Sequence, residues 1–487
     1  MSDDVQPRTI STDVPARLDR LPWARWHWMI LIGLGSVWIL DGLEVTIVGA
    51  IGSRLTERGG GIELTESQVG IAATFYVVGA CLGAVALGYL TDRFGRRRLF
   101  LITLLIYLVA TVATAFAPNA LWFWICRFFT GAGIGGEYSA VNSAVDELIP
   151  ARLRGTVDLI VNGSFWLGTA VGAALSIPML DTSLLPADIG WRILFGIGAL
   201  LGIGILFVRR MVPESPRWLF IHGREREAEA VVGDIEAQVA AQTGARLDGP
   251  ADSIRIRQRR AVGFGLVVST MLRRHARRSG LGLALFIGQA FLYNAVFFTY
   301  ALVLDTFFDV PAARVGWYLI PIGLGNFLGP FLLSRLFDSV GRRAMISTSY
   351  LGSGALLVVT ALLFRGGALT ATTLTVCWVA VFFLASAGAS AAYLTVSEIF
   401  PLEIRAMAIA VFYAVGTGLG GAIGPLLFGR LIESGSATQV MYGYLLGAGL
   451  MMAAGLVEVV IGVEAAGRSL EEIAAPLSAL EAPAAAR

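Results

Sequence analysis

Twelve runs of about twenty predominantly apolar residues decide what this chain can fold into. They fall at about 26–50, 68–90, 98–117, 119–144, 158–180 and 190–211, and again at about 279–304, 313–336, 344–364, 370–396, 405–429 and 438–463. A helix rises about 1.5 Å per residue, so a run of about 20 residues matches the roughly 30 Å hydrocarbon core of a bilayer. Within lipid the backbone must satisfy its own hydrogen bonds, and runs of this length do so as α-helices. Composition agrees: 56% of the 487 residues are hydrophobic and 15% are charged, the mean hydropathy is +0.72, and a soluble domain carries about 25% charged residues. The sequence therefore predicts an all-α integral membrane protein with twelve transmembrane helices.

The same composition narrows function. A net charge of +2 gives no reason to expect a nucleic-acid partner. Every basic residue is Arg. Cys81, Cys126 and Cys377 lie far apart inside apolar runs, where cysteine behaves as a small apolar residue. His27, His222 and His275 stand at the ends of such runs or between them. No metal site, cofactor or enzymatic nucleophile is expected. The first 25 residues are polar and of mixed charge, with no small-residue cleavage site, and read as a retained tail rather than a signal peptide.

An even number of spans puts both termini on one side, and arginine says which. The loops after spans 2, 4, 8 and 10 carry Arg93, Arg96, Arg97, Arg98, Arg152, Arg154, Arg342, Arg343 and Arg405. Of the alternate loops, 117–119 has no charge and 180–190 has only Asp181 and Asp188. The positive-inside rule then places both termini in the cytoplasm and the protein in the inner (cytoplasmic) membrane. Between spans 6 and 7 the stretch 253–278 holds eight Arg and no acid, suited to a cytoplasmic linker that touches anionic lipid. Residues 224–240 read as an amphipathic helix.

The two halves repeat. DRFGRR at 92–97 is matched by DSVGRR at 338–343, and Glu147, Pro150 and Arg154 by Glu398, Pro401 and Arg405, at nearly the same offset. Two six-helix bundles in parallel orientation follow, with a pseudo-two-fold along the membrane normal and a substrate site near the midplane. The expected organisation is a tail 1–25, a bundle 26–211, a linker 212–278, a second bundle 279–464 and a tail 465–487.

Several strings resemble those of a known family. GYLTDRFGRRR at 88–98 looks like the helix 2–3 loop of the major facilitator superfamily, and RFFTGAGIGGE at 127–137 resembles its fourth-helix motif. PESPRWL at 213–219, SEIFPLEIR at 397–405 and EAAGRSLEEI at 464–473 resemble the sugar-porter branch, with Val463 and Ala466 in place of its usual Pro and Lys. LDGLE at 40–44 resembles instead the aromatic-acid proton symporters, and GGEY at 135–138 the metabolite proton symporters.

Turns at Gly95 and Gly341 require a residue that tolerates positive φ. The charges around them (Asp92, Arg93, Arg96, Arg97, Asp338, Arg342 and Arg343) can pair with Glu147, Arg154, Glu214, Glu398, Arg405 and Glu464 at neighbouring helix ends. The resemblance implies that such pairs latch a cytoplasmic gate in the outward-open state. GAGIGG at 131–136 has no strand before it, so it is no dinucleotide loop. Gly131 and Gly135 instead suit close helix packing.

Charges inside spans are costly and point to function. Asp41 and Glu44 share a face of the first helix. Counted inward at 1.5 Å per residue, Glu44 lies roughly 9 Å deep, Asp41 roughly 13 Å and Arg127 roughly 12 Å, so they can pair. The resemblance gives Glu44 the place of the sugar porters' coupling acid and Arg127 that of its partner; proton arrival would free Arg127 and ease the change of access. A static ion cluster is the alternative. Glu137, nearer the cytoplasm, is either a second relay or part of the inner latch.

For the substrate, the resemblance matches Gln289 and Asn294 on helix 7 and Asn162 on helix 5 to sugar-binding amides, and puts Tyr393 where sugar porters have Trp. Gln289 and Asn294 lie about 140° apart around a helix, so gripping one ligand together requires helix 7 to be unwound or kinked. The expected protein is a monomeric proton symporter for a small sugar- or polyol-like metabolite, with protons, substrate and the lipid bilayer as partners. Organic- or aromatic-acid symport is the first alternative, followed by efflux antiport or a non-transporting sensor.

Overall fold

The computed structural model describes residues 9–56, 58–209, 213–247, 253–257, 264–297, 299–310, 312–475 and 477. Among them, twelve helices of twenty residues or more follow the twelve apolar runs. The first half holds α1 (Arg25–Thr56), α2 (Glu66–Phe94), α3 (Arg96–Ala115), α4 (Ala120–Leu148), α5 (Arg154–Met179) and α6 (Ala187–Arg209). The second holds α7 (Ala276–Phe297), α8 (Ala312–Ser339), α9 (Arg342–Arg365), α10 (Ala371–Ile399), α11 (Arg405–Glu433) and α12 (Ala437–Ile461). A short helix, Tyr300–Phe308, follows α7. Eleven of the twelve are long and apolar enough to read as membrane spans from hydropathy alone. The exception is α4, which carries Arg127, Glu137, Asp146 and Glu147.

Local chemistry sets the helix ends. Thr65 and Gln68 form a reciprocal capping box at the start of α2, and Thr370 and Thr373 do the same for α10. Asn119 caps α4 and Ser436 caps α12. Gly95 and Gly341 join α2 to α3 and α8 to α9 with φ of 97° and 115°, the left-handed geometry expected at both turns.

Five helix pairings occur twice. In the first half α1 packs on α5 and α6, α2 on α4, and α3 on α4 and α6; in the second α7 packs on α11 and α12, α8 on α10, and α9 on α10 and α12. The halves meet through α2 on α11 and α5 on α8, and through α5 on α10 and α4 on α11, each contact again paired with its symmetry mate. Two six-helix bundles related by a pseudo-two-fold are the architecture. A Cβ on Gly131 or Gly135 would come within 2.1 Å or 2.0 Å of the Tyr76 or Ala80 carbonyl of α2, so the close packing expected of this pair is present.

The surface is inverted relative to a soluble protein. Leu105, Val109, Leu200, Val376 and Val460 are exposed, whereas Asp41, Glu44, Arg127, Glu137 and Glu147 are buried. That distribution suits lipid as the surrounding solvent.

The described residues of the segments 1–25 and 212–278 form more structure than a plain tail and linker. Strand β1 (Thr9–Thr12) pairs antiparallel with β2 (Ile254–Arg257). Helix Glu225–Thr243 takes in most of the amphipathic stretch 224–240 and buries Ala228, Val232, Ile235 and Val239. Arg17 bonds Glu229 and Glu236 of this helix at 2.6 Å each, and Arg20 adds a second bond to Glu236 at 2.8 Å. Burial works against the Glu236 carboxylate, but Arg17 and Arg20 hold its pKa below the usual range.

Candidate functional site

Helix α1 crosses the first bundle with Trp38, Asp41 and Glu44 at three-residue intervals, which brings the charges and the ring near one face. Helix α4 runs alongside and presents Arg127. Its Nη1 donates to Glu44 Oε1 at 2.7 Å, with both side chains at most 1% exposed. The Tyr76 and Phe195 rings lie 5.3 and 5.7 Å from the guanidinium carbon. Tyr107 of α3 neighbours Glu44, Asp41 and Glu137, and Asp41 and Glu137 are themselves buried.

A cluster of rings from both halves lies next to this pair. Tyr138 of α4 stacks on Tyr413 of α11 at 4.4 Å and on Tyr393 of α10 at 5.8 Å. Trp38 meets Tyr138 edge-on at 4.3 Å, and Phe286 of α7 meets Tyr393 at 4.8 Å. Trp166 of α5 stacks on Tyr293 of α7 at 5.1 Å, and the Tyr293 hydroxyl donates to Asn326 at 2.8 Å. Tyr76 neighbours both the ion pair and Tyr413, linking the charged and aromatic groups.

The amides are arranged otherwise than the sequence suggests. Asn162 Nδ2 donates to Asn142 Oδ1 at 2.8 Å and to the Asp158 carbonyl at 3.0 Å, inside the first bundle. Asn294 Nδ2 donates to the Ala290 carbonyl one turn earlier at 2.7 Å. Gln289 is buried. Helix α7 is regular from Ala276 to Phe297, so the unwinding that would bring Gln289 and Asn294 onto one ligand does not occur there. The physical reason is that unwinding would leave backbone N–H and C=O groups of α7 without partners where water is scarce, and Asn294 already satisfies its amide on the Ala290 carbonyl. Of the four expected substrate residues, only Tyr393 joins the ring cluster.

At the helix ends on the side of the two termini the charged motifs meet. Asp338 of α8 accepts from the Gly155 and Thr156 N–H groups at 3.1 and 2.6 Å and from the Thr156 hydroxyl at 2.5 Å, capping α5 from the other half. Arg342 bonds Glu398 at 3.1 Å and Asp338 at 2.7 Å. Arg154 lies 3.6 Å from Glu398, and Arg405 lies 3.5 Å from Glu147, both across the halves. Glu464 accepts from the Arg342 and Arg343 N–H groups at the start of α9. The Arg343 guanidinium donates to the Val459 carbonyl. Glu214 sits against Gly95, where a Cβ would approach its carboxylate to 2.5 Å. Arg93 is exposed, with its guanidinium 5.4 Å from the Phe94 ring. The side chains of Asp92, Arg96 and Arg97 lie outside the described residues.

Sequence reasoning passed over several groups. Arg217 of PESPRWL bridges Asp19 at 3.4 Å and Glu471 at 3.2 Å and donates to the Glu147 carbonyl at 3.0 Å. Burial lowers its pKa, but Glu471 and Asp19 outweigh that and raise it. The motif is visible in the sequence; its partners, far away in the chain, are not. Trp38, Tyr76 and Tyr413 carry no motif, and Tyr138 enters only as the last residue of GGEY; their tertiary meeting is what distinguishes them as a cluster.

Comparison with known proteins agrees with this architecture. The family described as "Sugar (and other) transporter" matches residues 45–477. The niacin transporter NiaP of Acinetobacter baylyi is 30% identical over 469 residues, covering 95% of this chain and 99% of its own. A D-xylose transporter of Levilactobacillus brevis is 27% identical, covering 86% and 89%. The solved proton:xylose symporter XylE, bound to 6-bromo-6-deoxy-D-glucose, superposes with a TM-score of 0.75 at 20% identity, covering 92% of this chain and 98% of its own. The chain is thus a multi-pass membrane transporter of the sugar (and other) transporter family, within the major facilitator superfamily, and not an enzyme.

Proposed function

We propose that the protein is a proton-coupled symporter that imports a small planar aromatic metabolite, an aromatic carboxylate first of all, across the cytoplasmic membrane. The observation that carries this reading is the buried Glu44–Arg127 pair beside a cluster of rings drawn from both halves. Stacked and edge-on rings 4–6 Å apart already touch, but they offer faces and edges on which another flat ring can pack once the halves part, at about 0.5–1.5 kcal/mol per aromatic pair beyond area burial. A proton on Glu44 releases Arg127, the one cation beside the cluster among the described residues of the first bundle's middle, to meet an anionic group. Charge neutralisation then lowers the cost of moving the halves past each other. The niacin carried by a relative is itself a planar aromatic carboxylate.

In the proposed cycle the inter-half pairs of Asp338, Glu398, Arg405 and Glu147 hold the cytoplasmic side shut, with both termini in the cytoplasm and a monomer as the working unit. Glu137 remains a relay or a latch residue. A hydroxyl-rich substrate is the second reading, favoured by the buried Gln289 and by the D-xylose relative. It is weaker because the amides of Asn162, Asn294 and Asn326 already donate to protein groups.

The test is uptake in proteoliposomes. An imposed inward proton gradient should drive accumulation of a labelled aromatic carboxylate, and collapsing the gradient should abolish it. Saturating ligand at about 100 times Kd adds about 2.7 kcal/mol to stability, enough to rank aromatic acids against hexoses and polyols by thermal shift. Stabilisation by sugars alone would overturn the aromatic reading, and gradient-independent uptake the symport.

A further inference from the structure

Below the aromatic cluster, two helix faces form a ladder toward the cytoplasm. On α4, Tyr138, Asn142 and Asp146 follow at four-residue intervals; on α5, which runs the other way, Trp166, Asn162 and Asp158 do the same. The upper rung is aromatic, and the middle rung is the Asn162–Asn142 hydrogen bond at 2.8 Å. The lowest rung is Asp146 with Asp158, roughly 12 Å below Tyr138 at the helical rise. Both carboxyls are fully buried, and none of their four oxygens has a partner in good hydrogen-bond geometry; the Ser397 hydroxyl beside Asp146 and the Asn162 amide beside Asp158 are the nearby neutral donors. Asn162 Oδ1 and Ser143 Oγ, also buried, have no partner either.

The charges that act most on this rung come from five helices, α4, α5, α9, α10 and α11. Arg405 of α11, Arg154 of α5 and Glu398 of α10 face Asp146; Asp146, Glu398 and Arg342 of α9 face Asp158. Arg342 and Arg154 are engaged by Glu398, Arg342 also by Asp338, and Arg405 by Glu147. The cations present are therefore matched before Asp146 and Asp158 are counted, and the surrounding arginines disfavour a metal cation between them. Two buried carboxylates that face each other, with only the Ser397 hydroxyl and the Asn162 amide near them as neutral donors, are an arrangement a buried site tolerates poorly. A single proton supplies a further donor and removes one charge.

We propose that Asp146 and Asp158 form a second proton-binding site, which holds one shared proton while the cytoplasmic gate is shut and loses it to the cytoplasm when the gate opens. On opening, the carboxyl O–H bond breaks, the proton passes to water, and two hydrated carboxylates remain. On closing, a cytoplasmic proton is taken back. The site thus adds nothing to the transported charge. It makes closure sensitive to cytoplasmic pH: an acidified cytoplasm keeps the gate shut, an alkaline one lets it open. For a carrier that brings protons in, this acts as a brake. Only that last consequence rests on the symport reading; the protonation itself is independent of Glu44.

The test reads the gate directly. With Cys81, Cys126 and Cys377 replaced by Ala, spin labels at R152C and S339C, exposed positions on the two halves, report the cytoplasmic opening by pulsed distance measurement. In this parent the open population should rise with pH, by up to about tenfold per pH unit for one linked proton. D158N and D146N each mimic the protonated form and should flatten the dependence with the gate shut, whereas E44Q should keep it. Infrared spectra should show a protonated carboxyl band in the parent and in E44Q that both Asn variants lack. A pH-independent parent, or a dependence removed by E44Q and kept by D158N and D146N, overturns the proposal. The latter result would still leave Glu44 as a titrating group.

Discussion

Arg127 and Glu44 are unequal partners, and their asymmetry can be measured. Breaking a buried ion pair by removing one member costs about 3–5 kcal/mol, because the other charge is left uncompensated. Arg127 cannot shed its charge in Glu44→Gln, since a guanidinium keeps its proton. The Tyr76 and Phe195 rings at 5.3 and 5.7 Å and the glutamine carbonyl return part of the loss, leaving about 2–4 kcal/mol. In Arg127→Gln the carboxyl can take up a proton and become neutral, so the loss falls to about 1–2 kcal/mol. The double variant holds two neutral amides at hydrogen-bonding distance and should cost no more than about 2 kcal/mol. The single losses therefore exceed the double by about 2–3 kcal/mol, at the upper end for contacting residues. Equilibrium unfolding in mixed micelles gives the cycle, and paired transport assays should show that Glu44→Gln loses accumulation against a gradient while keeping substrate exchange. Additivity within about 0.5 kcal/mol, or a larger loss from Arg127→Gln than from Glu44→Gln, refutes the reasoning.

Three further outcomes follow. Tyr393→Ala and Tyr138→Ala should each weaken binding of an aromatic carboxylate by about 1–2 kcal/mol by titration calorimetry, with Tyr393→Phe close to unchanged if stacking is what matters. Asp338→Ala removes the cap of α5 and should favour the open cytoplasmic side by about 1–2 kcal/mol, read as a shift in inter-half distance; an unchanged distribution rejects the latch. Because Arg17 and Arg20 hold the Glu236 pKa below the usual carboxylate range, its contribution to docking the N-terminal segment is fully present above that usual range. It is lost as pH falls through the lowered value. Hydrogen exchange of residues 14–20 should rise on acidification, and Glu236→Gln should show the raised exchange already at neutral pH.

The fold is legible in the sequence because lipid imposes one rule on every span: a run of apolar residues long enough to cross, closed at each end by charge, glycine or a polar turn. The repeated DRFGRR and DSVGRR strings expose the symmetry, and counting 1.5 Å per residue from the outer ends brings Glu44 and Arg127 to one depth. What periodicity cannot supply is the rotation of one helix against another. Asn162 and Asn294 satisfy the family pattern, yet each turns its amide into its own bundle or its own backbone. Tyr138 in GGEY, Tyr393 in the sugar porters' Trp position and Tyr413, which belongs to no motif, lie far apart in the chain, so nothing short of the packed interface reveals that Tyr138 stacks on the other two. The pairing of β1 with β2 escapes for the same reason: four-residue strands in polar tails have no signal of their own.

One helix draws these parts together, and it is the one that hydropathy fails to recognise. Along its length α4 carries Arg127 on the Glu44 pair, Glu137 beside Tyr107, Tyr138 in the ring cluster, Asn142 on the amide rung, and Asp146 and Glu147 at the gate. Each polar group lowers the affinity of that helix for lipid, so each must be compensated inside the protein. Compensation by α1 and α5 keeps α4 within its own bundle, whereas Tyr413 and Arg405 tie it to α11 in the other. A rigid helix bonded on one side to Glu44 of its own bundle and on the other to the opposite half has two discrete sets of partners to exchange, which is the minimum an alternating-access device requires. If α4 is that element, Glu44→Gln and Asp146→Asn should each shift the same gate equilibrium. A gate that responds to Asp146→Asn and not to Glu44→Gln would place the coupling in another helix.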